Sequence, residues 1–456
     1  MNGAHLRAAG IALWLSLALS AEAGEVQAHE PQVDEAQGQG AQVDGAGVEE
    51  PEPEEAQSEE TQADQTERED AEKPRGDHPL RLPIGDPERR DEVIVPELDT
   101  LVDTRTGDVL TPSKLAAKLA GTRLLLVGES HTSEEFHRVQ EIVLRELDRS
   151  GRKVSVGLEM MPPESQAALD SWSAGELDDD RFLEASGWYE HWGYRWEYYR
   201  SIFELIRDRQ LPMHGLNVPR DVVRAAREKG FDGLDPEDRR RLPDEIQPPT
   251  AEFKRLFLSY FGGGDAAHAF GDDEMLAGFL RAQTAWDASM AKNAAEALAE
   301  DPETIMVVLV GSGHVAYGLG IARHVAPMLE GEVATLIPVP VGGEDTQEIS
   351  ASYADFLWGV AEEPWTRYPS LGLSTAEVED ADDGSRKVLF TAEGSAAARA
   401  GLESGDVLVS IDGQAVDGSE VIRRVMNSKH WGDAVELRFR RDGDEHDVTA
   451  HLRRQP

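Results

Sequence analysis

Cysteine is absent from all 456 residues. That excludes disulfides, thiolate catalysis, Cys-ligated zinc and iron–sulfur clusters, and it leaves no cysteine for a lipid anchor. A metal would have to sit on His and carboxylate ligands. Positive charge is scarce: 45 Lys and Arg face 88 Asp and Glu, a formal net charge of -43. Such a surface repels a phosphate backbone, which argues against nucleic acid as a partner. Beyond Leu19 no apolar run approaches the roughly 20 residues a spanning helix needs. No membrane span is expected.

What is present is unevenly spread. Arg7 precedes an apolar run, Ala8 to Leu19, and Ala21-Glu22-Ala23 supplies a small-x-small cleavage pattern. Residues 1–23 read as a secretory signal peptide, which implies a periplasmic or secreted protein. Residues 25–72 carry 17 acidic residues against one Arg and no Phe, Trp or Tyr. Too little apolar surface and strong self-repulsion predict a disordered acidic tether over 24–92, with order beginning near Val93.

From there the expected fold class is α/β, a mostly parallel sheet covered by helices, over 93–340. Strands are expected at Leu124–Val127, Val154–Leu158, Leu211–Leu216 and Thr304–Val310. Helices are expected at Glu134–Leu147, Arg195–Arg209 and Ala282–Ala299. In such sheets ligands gather at the carboxyl ends of strands. Two of those ends repeat one pattern: Leu124-Leu-Leu-Val-Gly-Glu-Ser-His131 and Val307-Val-Leu-Val-Gly-Ser-Gly-His314. Each glycine is read as allowing a tight turn that lifts the histidine onto the sheet rim. A third strand ends in Glu159, a fourth in Asn217 with Arg220 beyond it. If these strands are neighbours, His131, His314, Glu129 and Glu159 converge. That set could hold a divalent metal (Mn, Co or Zn) through His131, His314 and Glu129, with Glu159 as general base. Without metal, a carboxylate–His pair could serve as acid and base.

Between them, Gly187 to Tyr199 holds three of the nine Trp and four of the eight Tyr. Trp188, Tyr189, His191, Trp192, Tyr194 and Arg195 could wall a haem or another flat or lipid-like ligand, with Arg195 for propionates. Equally, Trp188, Trp192 and Trp196, four apart, could form one packed helical stripe. His137 is expected on a helix surface. Gly262-Gly263-Gly264 with His268 suggests a loop or lid.

The segment from Leu98 to Ala326 resembles the ChaN-like haem-binding-uptake domain of the Tiki superfamily, which also takes in erythromycin esterases and Tiki metalloproteases. The resemblance rests on Gly128-Glu129-Ser130-His131, Leu158-Glu159-Met160, Gly215 to Arg220, Trp286-Asp287-Ala288-Ser289 and Gly311-Ser312-Gly313-His314. It implies haem binding for iron uptake or, as in hydrolytic members, chemistry at His131, His314, Glu129 and Glu159. Asn217, Arg220 and Asp287 then belong to the haem or substrate wall.

A linker is expected at 341–367. Residues 368–456 resemble a bacterial PDZ domain, on Gly394-Ser395-Ala396-Ala397 through Gly401-Leu402, Gly405-Asp406-Val407-Leu408 and Ile411-Asp412-Gly413. By that resemblance Leu371, Gly372 and Leu373 would receive the C-terminus of a protein or peptide partner. Asp412-Gly413 and Asp442-Gly443 are hairpin signals, and Ser419 to Asn427 reads as a Ser-capped helix. Three functions stay open: a haem-binding uptake protein, a hydrolase, and a scaffold whose PDZ domain alone acts.

Overall fold

The structure, a computed structural model, describes residues 78–260, 273–342, 347–363, 365–378 and 384–454. The expected signal peptide, the expected tether up to residue 77 and the Gly262–Gly264 segment with His268 lie outside those residues.

Ten strands precede the C-terminal module: β1 (Val93–Ile94), β2 (Leu101–Asp103), β3 (Val109–Leu110), β4 (Thr122–Glu129), β5 (Val154–Leu158), β6 (Met213–Gly215), β7 (Ile305–Gly311), β8 (Glu332–Val341), β9 (Ile349–Ser350) and β10 (Phe356–Ala361). Eight of them form one sheet in the order β3-β2-β10-β8-β4-β7-β5-β6. The run from β10 to β6 is parallel and β2 and β3 add an antiparallel edge, so the expected architecture holds.

The apolar strand runs are continuous because both faces are covered. Leu125, Val127, Val307 and Leu309 face one core, with Val139, Val143 and Leu147 of the Glu134–Arg149 helix. Their neighbours Leu124, Leu126, Met306 and Val308 face a second core, with Met290, Ala294 and Leu298 of the Asp273–Ala299 helix. The strand period of two sorts adjacent residues between helices on opposite sides.

Three expectations need correction. Packing begins well before Val93: Leu82 and Ile84 are buried in the second core, and the Tyr317 hydroxyl donates to the Pro79 carbonyl at 2.8 Å. Apolar side chains at 82 and 84 have a core to enter, so the end of the presumed tether belongs to the fold. The presumed linker from 341 also begins too early, since β9 and β10 fall within it and β10 pairs with β8 and β2. Third, no single helix spans Arg195–Arg209. A 3-10 turn at Trp196–Tyr198 precedes the Arg200–Arg209 helix.

The C-terminal module is a small sheet of β11 (Leu373–Glu377), β12 (Arg386–Thr391), β13 (Val407–Ile411), β14 (Gln414–Ala415), β15 (Ala434–Arg441) and β16 (Asp444–His451) around its own core. Both hairpin signals hold, with positive φ at Asp412, Gly413, Asp442 and Gly443 as a two-residue primed turn requires. The Ser419–Asn427 helix forms as expected, but its N-cap is Gly418 and no side chain caps it.

Candidate functional site

Strands β5, β7 and β4 lie side by side, so the predicted convergence occurs at their carboxyl ends. Glu129 ends β4 and pairs in register with Gly311, the end of β7. Glu159 follows β5 directly, and its N–H donates to the Leu309 carbonyl at 3.2 Å. His131 lies two residues beyond β4, and His314 closes the Ser312–His314 turn beyond β7. Glu129 is 0% exposed, His131 and His314 1%, and Glu159 2%.

Each histidine has a carboxylate on its Nδ1. Nδ1 of His131 is 2.8 Å from Glu129 Oε1, and Nδ1 of His314 is 2.6 Å from Asp287 Oδ1. Glu129 is further fixed by the Tyr199 hydroxyl at 2.7 Å and the Gln140 amide at 2.7 Å. Nε2 of both histidines has no hydrogen-bond partner among the described residues. Glu159 lies on that side: its Oε1 is 3.3 Å from His314 Nε2, and its Oε2 accepts the Gly311 N–H at 2.7 Å. A buried imidazole oriented through Nδ1 and free at Nε2 is prepared to accept or donate a proton or to ligate.

The electrostatics follow from this. Burial would raise the Glu129 carboxyl, but His137 and His131 outweigh it and hold it well below the carboxylate range. Burial also opposes ionisation of Glu159, and His314 overcomes that. Burial would lower His314; Asp287 and Glu159 together raise it to about 10, so it is an imidazolium at neutral pH.

The glycines do a different job from the one expected. Neither Gly128 nor Gly311 has positive φ, so neither makes a tight turn. A Cβ on Gly311 would come 3.0 Å from His131 Cε1, and one on Gly128 would come 2.9 Å from Ser312 Oγ. They are small so that the two motifs can lie against each other.

Sequence reasoning placed Glu129 among the metal ligands. It instead lies on the Nδ1 side of His131, away from the unpartnered Nε2, while Glu159 faces Nε2 of His314. Among the described residues, no group of three or more His, Cys, Asp or Glu is arranged to hold a metal ion. Asp287, expected in a wall, is the orienting carboxylate of His314. His137 is not on the surface: it is 2% exposed, with Nε2 3.5 Å from Glu129 Oε2. His137, Gln140 and Tyr199 were missed as site residues. Polar residues at 137 and 140 among the apolar positions of the helix were the available signal.

The aromatic segment divides. Trp188 and Trp196 are core residues, packed with Phe182 and Phe203. They sit on two short pieces of helix (Trp188–His191 and Trp196–Tyr198) and not on one stripe. Trp192 and Tyr194 cover His131, with ring centroids at 4.9 and 4.6 Å. Tyr189 and Arg195 turn to the C-terminal module. The Tyr189 hydroxyl accepts from Asn427 Nδ2, and Arg195 donates to the Lys429 carbonyl and lies 3.8 Å over the Tyr368 ring. Arg423 Nη1 donates to the Tyr189 carbonyl at 2.8 Å. Asn217 Nδ2 donates to the Glu159 carbonyl at 2.9 Å, and Arg220 to the His191 carbonyl at 3.1 Å.

In the C-terminal module Leu371 is buried, Gly372 has φ +69° and Leu373 opens β11. A Cβ on Gly372 would come 2.4 Å from Ser395 Cβ, so the turn needs glycine on both counts. β11 is an edge strand, open to an added strand.

These features define an α/β domain with a buried double His–carboxylate site, followed by a small β module with an edge strand at β11. Residues 115–325 match the family described as haem-binding uptake, Tiki superfamily, ChaN, and residues 369–452 match the PDZ domain family. The chain therefore carries a ChaN-like domain followed by a PDZ domain. It is similar to the haem-bound ChaN of Campylobacter jejuni, at 17% identity and a TM-score of 0.44, over 57% of this chain and 95% of that one. A serine endoprotease from Yersinia pestis is similar at 16% identity and a TM-score of 0.17, over 20% of this chain and 30% of that one. A probable periplasmic serine endoprotease, DegP-like, from Halomonas elongata is 43% identical over 53 residues, 12% of this chain. The match spans only 11% of that relative's length. Among the described residues no helix is long and apolar enough to cross a membrane.

A porphyrin does not fit at the histidine pair in this arrangement. Among the described residues both rings are enclosed and Trp192 and Tyr194 cover His131, which leaves no room for a flat macrocycle at either Nε2. The free Nε2 atoms suit a small group such as water.

Proposed function

We propose that the ChaN-like domain hydrolyses an ester or amide bond by acid–base catalysis, and that the PDZ domain brings a protein or peptide C-terminus to it. The observation that carries this is the pair of buried imidazoles, each oriented through Nδ1 by a carboxylate, with Nε2 of His131 unpartnered among the described residues and Nε2 of His314 facing Glu159. His131 Nε2 takes a proton from water as its oxygen attacks the carbonyl carbon. Glu129 keeps the ring oriented and stabilises the imidazolium that forms. His314, already cationic, stabilises the developing oxyanion and donates to the leaving group. In this reading Glu159 holds His314 charged, and Glu129 orients where sequence reasoning had it ligate. The cleavage pattern at Ala21-Glu22-Ala23 supports an extracytoplasmic location.

Purified protein assayed on a panel of carboxylic esters and peptide amides is expected to release product. No turnover on any of them, with the fold intact, overturns the reading.

A second reading, haem capture for uptake, is favoured by the family match over 115–325. The half-exposed His191 and Tyr194 are then the residues that meet the porphyrin, not the enclosed pair. Haemin titration is expected to give a saturable Soret shift that Tyr194→Phe with His191→Ala removes. Absence of any shift removes this reading.

A further inference from the structure

The cover over His131 is held from outside its own domain. Trp192 and Tyr194 close on the ring. The four residues before Trp192 form the short Trp188–His191 helix, whose carbonyl end lies against the PDZ helix Ser419–Asn427. Arg423 donates to the Tyr189 carbonyl at 2.8 Å and the Glu190 carbonyl at 3.3 Å. Asn427 donates to the Tyr189 hydroxyl. Just past Tyr194, Arg195 donates to the Lys429 carbonyl, at the end of the same PDZ helix. The covering residues are thus bracketed by contacts to the PDZ domain, at Tyr189–Glu190 on one side and Arg195 on the other. A helix of only four residues has little stability of its own.

We infer that Arg423 and Asn427 of the PDZ domain are positioning residues of the α/β site. They hold the Trp188–Tyr194 segment closed over His131, so that access to the buried imidazoles is set by the PDZ helix. A peptide that adds a strand to β11 joins the same small module as this helix, which places PDZ occupancy and site access within one domain. The significance of that access rests on the proposed role of His131. The closure itself does not, and it is read without turnover.

The test is carbethoxylation of histidines by diethylpyrocarbonate on the full chain, quantified per residue by peptide mass spectrometry. Exposed His446 is the reference and buried His324 reports global unfolding. In Arg423→Ala/Asn427→Ala the His131 rate relative to His446 is expected to rise about tenfold over wild type, the effect of losing two or three hydrogen bonds. His324 is expected to stay protected. Arg438→Ala, which removes an outer-strand ion pair with Asp447, is expected to leave His131 unchanged. Should the double variant expose His324 as well, Tyr189→Phe takes its place. It deletes only the Asn427 bond, and a smaller rise confined to His131 is expected. An unchanged His131 rate in a variant that keeps His324 protected overturns the inference, whatever the outcome of the hydrolysis assays.

Discussion

His131 and His314 have the same kind of partner on Nδ1 and opposite electrostatic settings. Glu129 is shared among His131, Tyr199, Gln140 and the nearby His137, whereas His314 lies between two carboxylates, Asp287 and Glu159. The two carboxylates around His314 hold that ring charged. That charge has a measurable consequence. The His314 value of about 10 lies above the roughly 6.5 of an unfolded histidine. Its contribution to stability is thus complete below about pH 6.5 and is lost as the pH rises through about 10. Denaturant unfolding across that range is expected to show falling stability in wild type. His314→Gln is expected to be less stable at neutral pH and to lose most of that slope. A variant with the wild-type slope would show that His314 is not the group responsible.

At the scale of elements, the site is made by two glycine-bearing strand ends pressed together. Gly311→Ala adds a Cβ 3.0 Å from His131 Cε1, against a ring already closed in by Trp192 and Tyr194. The ring must give by a few tenths of an ångström, which takes it out of its position on Glu129. Ester hydrolysis by Gly311→Ala is expected to fall, with an unchanged far-ultraviolet circular dichroism spectrum. Normal turnover would mean the ring has room. Strand identity was legible in the sequence because buried parallel strands read as unbroken apolar runs, as Leu124–Val127 and Val154–Leu158 do. The repeated Gly-x-x-His was legible for the same reason, since it sits where such a run stops. The partners of the histidines were not. Asp287, Gln140 and His137 lie on helices whose facing is set by packing across the sheet, and nothing local marks a buried polar residue as a member of a network. The aromatic segment misled in a related way. A spacing of four suggests one helix, but the break at Trp192–Arg195 divides it, so its rings go to the core, the site cover and the PDZ contact.

For the whole molecule, composition predicted the broad division of the chain. Its details were blurred wherever a short apolar group found a core from a distance, as Leu82 and Ile84 do, and β10 likewise carries the α/β sheet past the expected boundary. The contacts of Tyr189 and Arg195 with the PDZ domain could not be read from the sequence, because both residues suit a ligand wall as well as an interface. The PDZ groove can be tested apart from the chemistry. Gly372→Ala combines φ +69° with a Cβ 2.4 Å from Ser395 Cβ, so it should disrupt the turn before β11. Binding of a fluorescent decapeptide with an apolar C-terminal residue is expected to be lost in that variant, while hydrolysis of a small ester persists. Retained peptide binding would place the groove elsewhere.

In the proposed mechanism His131, oriented by Glu129, is the base of a hydrolytic site. The most direct test of that role is kcat/KM for a small activated ester, measured on wild type and on His131→Gln of confirmed fold. A loss of about 10²–10⁴-fold, the range for removing a positioned general base, is the predicted result. Equal rates for the two proteins would contradict it.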